Sequence, residues 1–263
     1  MYIKPCYKFL CIIFLSALII SYSAIANAHE VFVEKEKFEY KISWIGITAG
    51  YGFVESSIIA DEDGRGVILI KARGDSVGML SVIYKIRDRI ESYIDQEKQY
   101  SLKCVKGFKE GSYEKKETTR FDQEKHVAYV NKKTIEILPE AKDPFACLYY
   151  IRAQKLVVGQ TLSFNAYDNR KNYRLTVNVL KKETIKIEEN IYKTILIEPI
   201  LEGLDLEGVL KTGDRKIKVW LTDDERKIPV KVQMKITFGS IVIELVNFEL
   251  PVLARDNLRN GNE

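Results

Sequence analysis

The chain has 263 residues, 46% of them hydrophobic, which is enough to bury a core and excludes both a disordered segment and a disulfide-dependent miniprotein. Its 41 basic residues face 37 acidic ones, and two of the basic ones, Lys4 and Lys8, belong to an N-terminal leader, so the remainder carries 39 against 37. That balance gives no electrostatic footprint for nucleic acid and no argument for a strongly acidic partner.

In the leader, Lys4 and Lys8 form a positive n-region, Phe9 to Ile20 is an apolar run, and Ala26-Asn27-Ala28 is a small-x-small cleavage site. This is the layout of a secretory signal peptide over residues 1–28, and the run is too short to span a membrane comfortably. Cleavage after Ala28 is expected to leave a periplasmic or secreted chain that begins at His29 and carries no transmembrane anchor. The alternative is an uncleaved N-terminal anchor. Cys11 follows Leu10 rather than the small residue that lipoprotein processing needs, so a lipid anchor is not expected.

Period-two alternation dominates the chain beyond the leader, and alternate residues of a strand point to opposite faces. Over Lys37–Ile47, Phe38, Tyr40, Ile42 and Trp44 share one face while Lys37, Glu39, Lys41 and Ser43 share the other. Val77 to Tyr84 reads as a short helical turn, weakened by Gly78. Asp143-Pro144 is a helix start: the Asp side chain caps free N–H groups and Pro fits the first helical position. The helix itself, Phe145 to Arg152, is apolar nearly all round and is therefore expected to be buried against or inside the sheet. Strands resume over Lys171–Leu180, Ile217–Leu221 and Ile228–Phe238. In the last of these Ile228, Val230, Val232, Met234, Ile236 and Phe238 form an uninterrupted apolar phase.

Turn signals punctuate the strands at Asp61-Glu62-Asp63-Gly64, Asp168-Asn169, Glu188-Glu189-Asn190, Thr212-Gly213-Asp214 and Thr222-Asp223-Asp224-Glu225. The pattern predicts an all-β, mainly antiparallel fold: a barrel-like or half-barrel sheet of about a dozen strands with one buried helix closing it. No repeat or linker is visible, so residues 29–254 read as one domain and 255–263 as a frayed polar tail.

Three motifs together resemble a bacterial exported family known as domain of unknown function 3108. They are Tyr40-Lys41-Ile42-Ser43-Trp44-Ile45-Gly46-Ile47-Thr48-Ala49-Gly50, the helix Asp143-Pro144-Phe145-Ala146-Cys147-Leu148-Tyr149-Tyr150-Ile151-Arg152, and Trp220 to Val230 followed by Phe238-Gly239-Ser240-Ile241. The resemblance runs from about Lys37 to Leu250. It implies a secreted or periplasmic, mostly antiparallel β fold of barrel-like shape. It implies no activity and supplies no catalytic residues.

Candidate sites each have a functional and a structural reading. His29 and His126 are the only histidines, so no Ser-His-Asp or Cys-His arrangement forms without one of them. No catalytic residue, metal site or cofactor is expected, and copper chelation by His29 would need His126 as a second imidazole. Cys104 and Cys147 remain after the leader is removed; they form either a disulfide tying helix to sheet or two buried inert thiols. Asp88 falls on the apolar phase with Ile86, Ile90 and Ile94, and Arg152 closes the apolar helix, so the two are expected to pair in the interior. Lys216, Lys218, Lys231 and Lys235 share the outward phase of two strands, as a basic patch for an anionic envelope component or as a solvated face.

By analogy of fold, these readings lead to a non-enzymatic envelope protein that binds a hydrophobic or lipid-like ligand. The alternative is a structural or interaction module of an envelope complex with a filled core. A hydrolase is the third and weakest option.

Overall fold

The computed structural model describes residues 35–203 and 217–250. The expected leader (residues 1–28), His29, the expected turn at Thr212-Gly213-Asp214, Lys216 and the expected tail 255–263 lie outside the described residues. Those described form one antiparallel sheet of fourteen strands. They are β1 (Lys35–Trp44), β2 (Ile47–Ala60), β3 (Gly66–Ser76), β4 (Arg87–Asp95), β5 (Ser101–Glu110), β6 (Tyr113–Asp122), β7 (Val127–Val130) and β8 (Lys133–Glu136), then β9 (Thr161–Asp168), β10 (Lys171–Ile187), β11 (Asn190–Gly203), β12 (Ile217–Thr222), β13 (Pro229–Lys235) and β14 (Ser240–Glu249). Two helices interrupt them, α1 (Gly78–Ile83) and α2 (Pro144–Ala153). Among the described residues no helix is long and apolar enough to cross a membrane.

The spatial order is β8-β7-β6-β5-β4-β3-β2-β1-β14-β13-β12-β11-β10-β9. Every neighbouring pair is consecutive in the chain except β1 and β14. Two meanders, β1–β8 and β9–β14, are thus joined along one seam between strands far apart in sequence. The sheet does not close by strand pairing, because β8 and β9 are its edges. This is the expected antiparallel half-barrel, with fourteen strands rather than a dozen.

An exposed strand edge invites pairing with other chains, and here the segment after β8 covers it. Lys142 N–H donates to the Asn165 carbonyl at 3.2 Å, and Tyr167 N–H donates to the Lys142 carbonyl at 2.8 Å. The Asn172 side chain accepts from Leu138 N–H at 3.0 Å and donates to the Glu136 carbonyl at 2.9 Å. Side chains add to the closure. Phe121 of β6 meets Tyr167 of β9 edge to face, with centroids 5.5 Å apart. Lys106 of β5 pairs with Asp168 of β9, and Glu117 of β6 pairs with Arg170 at 2.5 Å.

Two predicted strands end differently from their sequence pattern. The run Lys37–Ile47 stops at Trp44, where Ile45 (φ 50°) and Gly46 (φ 78°) make a tight turn into β2. The run Ile228–Phe238 is not one amphipathic strand. Leu221 pairs with Pro229 but Trp220 pairs with Lys231, so a bulge at Val230 inverts the phase. Ile228 and Val230 therefore pack with Trp220, Tyr40 and Leu245, while Val232 packs with Val219 and Leu221. β13 ends at Lys235, and Phe238 lies exposed in the turn beyond it. Strand β10 begins at Lys171 as predicted and runs on to Ile187 through another bulge near Leu180. The tip of its hairpin reaches back to β1, where Glu188 pairs with Lys41 at 2.5 Å.

A β-branched residue at positive φ is strained, and the first position of such a turn favours Asn or Asp. Ile45→Asn is expected to stabilise the fold by about 1 kcal/mol, read as a higher urea midpoint with unchanged slope.

Candidate functional site

Helix α2 lies on the sheet with Ala146, Cys147, Tyr149, Ile151 and Arg152 all buried. Cys147 and Ile151 join Phe164, Leu175, Val177, Val179, Ile195, Ile197, Val219 and Leu221 in one apolar cluster. A short apolar helix of this kind needs its ends satisfied, since the first N–H groups and last carbonyls have no partner inside the helix. Both ends are held by strands of the other meander.

At the N-terminus, Asp143 Oδ1 accepts from Phe145 N–H at 2.9 Å and Ala146 N–H at 3.3 Å, with Pro144 at the first helical position. Its Oδ2 accepts from the hydroxyls of Ser92 on β4 and Ser101 on β5, both at 2.7 Å. Asp143 N–H donates to Ser101 Oγ at 2.7 Å. Burial pushes the Asp143 carboxyl upward, against the pull of these donors. The helix starts where its cap and proline predict, and the same cap anchors it to the sheet.

At the other end, Arg152 makes a bidentate pair with Glu36 of β1, at 2.7 and 2.9 Å, with both side chains 1% exposed. Glu36 also accepts from Ser56 at 3.2 Å and Tyr149 at 3.4 Å. Arg152 Nε donates to the Arg226 carbonyl at 3.0 Å, and its guanidinium lies 4.6 Å from the Tyr149 ring centre. Burial opposes the arginine's charge, but Tyr149 and Glu36 outweigh it and hold the guanidinium above its usual range. Burial also pushes the Tyr149 hydroxyl up to about 12.

The expected Asp88–Arg152 pair is therefore corrected. Asp88 does share the inward phase of β4, but it lies near the strand's open end, half-buried, and accepts from Lys109 N–H at 3.3 Å. The interior position two residues before Phe38 belongs to Glu36, and that is the carboxylate the arginine meets. Cys104 and Cys147 are free buried thiols, in different apolar clusters, so no disulfide ties helix to sheet. Burial raises both thiols above their ordinary range, with Asp143 adding to the effect. His126 sits in the β6–β7 turn at φ 54°.

Lys142, which no sequence signal singled out, is 1% exposed beside the Asp143 cap. Its ammonium donates to the Glu140 carbonyl at 3.0 Å and lies 4.6 Å from the Tyr150 ring centre. Burial pulls its pKa down.

The basic patch does not hold together. Lys216 is outside the described residues. Lys218, Lys231 and Lys235 do share a face by register, opposite Gln233, Trp220 and Ser240 respectively. Lys231, however, is paired with Glu244 at 2.8 Å, and Lys218 lies within electrostatic reach of Glu183. Counter-charges thus offset two of the three described lysines.

An open depression of about 580 Å³ crosses β14, β1, β2, β3 and β4. Three adjacent cross-strand rows line it. The middle row, Phe248–Phe38–Val54–Ala72–Ile90, is apolar and by strand alternation points to the opposite face from the rows on either side; one of these is Glu249–Lys37–Glu55–Lys71–Glu91, alternating in sign at every step. The third row includes Phe53 with the Arg73 guanidinium 4.1 Å from its ring centre. Opposite charges directly across strands attract, so the charged row largely satisfies itself.

The family described as protein of unknown function (DUF3108) matches residues 39–246, and the chain belongs to that family. Among solved structures, a beta-barrel-like protein of domain of unknown function DUF1849 from Brucella abortus is 11% identical with a TM-score of 0.52, over 83% of this chain and 98% of that one. At that identity the likeness shows the fold alone. A DUF1089 family protein from Pseudomonas aeruginosa is 12% identical with a TM-score of 0.32, over 73% of this chain and 87% of that one. No curated protein matches the sequence.

Removing either member of a buried ion pair strands the other charge. Glu36→Leu or Arg152→Leu alone is expected to cost about 3–5 kcal/mol, and the double substitution much less than their sum. Urea denaturation of the four proteins checks this; simple additivity would show no coupling.

The buried thiols are expected to be silent toward Ellman's reagent at pH 8 in the native chain beginning at His29. In urea both should react, giving two equivalents. Fewer than two equivalents in urea without reductant would reveal a disulfide.

Proposed function

From family membership and this geometry, we propose that the chain is an exported, non-enzymatic module of the cell envelope that acts by docking through its surface. The observation that carries this reading is the occupant of the sheet's inner side over β9 to β12: its own helix α2, pinned at both ends. A molecule seated there would have to displace Tyr149, Ile151 and Arg152 from the core. The leader sequence supports export.

The deep carboxylates support a structural rather than catalytic role. Glu36 accepts from Arg152, Ser56 and Tyr149, and Asp143 from two serines and two backbone amides. Groups whose acceptor capacity is spent on the fold hold no proton in reserve for a substrate.

A second reading, carriage of a hydrophobic or lipid-like molecule, is favoured by the depression over β14 and β1–β4. Its volume falls within the range of small-molecule sites, but two of its three lining rows are charged or mixed.

Native mass spectrometry of the chain purified without detergent from its own envelope separates the two. The docking reading predicts the bare mass of the chain from His29. A stoichiometric lipid-sized adduct, lost in Ala72→Trp, would establish the carrier instead.

A further inference from the structure

One rim of the half-barrel carries large apolar side chains that the core does not use. In an antiparallel meander successive turns alternate between two ends. The β1–β2 turn, the β3–β4 connection with α1, the β5–β6 turn and the β13–β14 turn consequently leave the sheet at the same end. At these tips Ile47 is 74% exposed, Met79 80%, Val82 86%, Ile83 76% and Phe238 76%. Single exposed apolar residues are ordinary, but a set gathered on the tips of three connections at one end is not.

Two further observations point to what covers them. The first is local chemistry. Ile45 occupies a left-handed turn position, φ 50°, where a polar turn residue would fit without strain, and its side chain lies over Gly239 of the facing turn. Trp44 donates its indole N–H to the Phe238 carbonyl at 2.9 Å, which ties the two tips together and leaves the ring part-exposed. An apolar side chain kept at a position that disfavours it argues for use rather than accident.

The second is charge. The same connections, Gly74–Arg89, Lys109–Lys116 and Met234–Ser240, carry seven basic against four acidic side chains; Arg87 and Arg89 share Asp75, Lys109 pairs with Glu114 and Lys115 with Glu117, which leaves Lys85, Lys116 and Lys235 outside any ion pair among the described residues. Apolar tips ahead of a basic collar, with a tryptophan between them, match the layering of a bilayer surface. Acyl chains lie beneath an aromatic-favouring interface and anionic headgroups.

We propose that this rim is a peripheral membrane-binding surface that inserts Ile47, Met79, Val82, Ile83 and Phe238 into the outer part of an anionic lipid leaflet. This specifies the partner of the docking reading and rests on it. The exposed side chains stand on three neighbouring connections rather than on one element, an uneven set of tips that suits a fluid surface able to fill between them.

The test uses the chain beginning at His29 and vesicles of phosphatidylcholine with roughly 30% phosphatidylglycerol, a surface charge of physiological order. Co-sedimentation is expected with these vesicles, weakening as salt rises and falling away on pure phosphatidylcholine. The chain has two tryptophans, and Trp220 is buried, so a blue shift on binding reports Trp44. Ile47→Ser/Val82→Ser/Phe238→Ser, whose side chains support no core contact, should weaken binding roughly a hundred-fold with unchanged circular dichroism. Ile45→Asn should weaken binding while raising the urea midpoint, a pair of effects that misfolding cannot produce.

A wild-type chain that stays in the supernatant with anionic vesicles, as it would if the rim served a protein, overturns the proposal. So does a serine variant that sediments like the wild type. Neither result touches the docking reading, which fails separately if native mass spectrometry finds a stoichiometric lipid that Ala72→Trp removes.

Discussion

The bidentate contact between Glu36 and Arg152 is the constraint on which the arrangement depends. Both charges are out of water, and the cost of stripping their hydration is of the same order as their attraction, so the pair is a poor source of net stability. Its value lies in what else would be unsatisfied. Arg152 ends α2 and Glu36 opens β1, the strand that pairs with β14 to join the two meanders. If β1 slips by one residue, Lys35 or Lys37 takes the place of Glu36, and a lysine then meets a buried guanidinium. A buried charge thus fixes the register of the seam through the penalty on every other register.

The seam needs such a device because its topology is demanding. Phe38 pairs with Phe248, so most of the chain must be ordered before this contact can form. Loop-closure entropy works against it, while the consecutive hairpins of each meander form locally. The helix between β8 and β9 touches both halves: Asp143 holds Ser92 and Ser101 of the first meander, and the apolar side of α2 packs on β9 to β12 of the second. Capping and ion pairing place the helix, and the helix then holds together two meanders whose edge strands do not pair.

What could be read from sequence divides along the range of the interactions. The cap at Asp143-Pro144 was legible because a cap involves neighbouring residues and two specific residue types. The strands over Lys171 and Ile217 were legible because phase is local. Phase gives the face but not the depth, and this is why Asp88, correctly oriented, was assigned the wrong role. Glu36 had the same signal, being two before Phe38 and four before Tyr40, but it lay just outside the predicted strand boundary. The bulge at Val230 left no trace, because Ile228, Val230 and Val232 alternate without a break while the sheet turns them to different faces. Trp44-Ile45-Gly46-Ile47 misled for the opposite reason. Its apolar composition reads as strand, and only the pairing of Trp44 with Ile47 makes it a turn.

That misleading turn separates two kinds of hydrophobic residue in this chain. Core residues such as Ile70, Val177 and Leu221 are buried to the last few percent and obey the strand phase. Residues of the rim obey neither burial nor turn chemistry, so folding alone gives no reason for them. Sequence patterns that agree with the fold at every level mark what the structure needs, and local conflicts mark where something else is being served. Among the described residues the five most exposed large apolar side chains, Val82, Met79, Ile83, Phe238 and Ile47, gather together. They fall at one end of the half-barrel, on connections held side by side by the sheet, and the buried ion pair that fixes the seam also fixes which tips stand next to each other there.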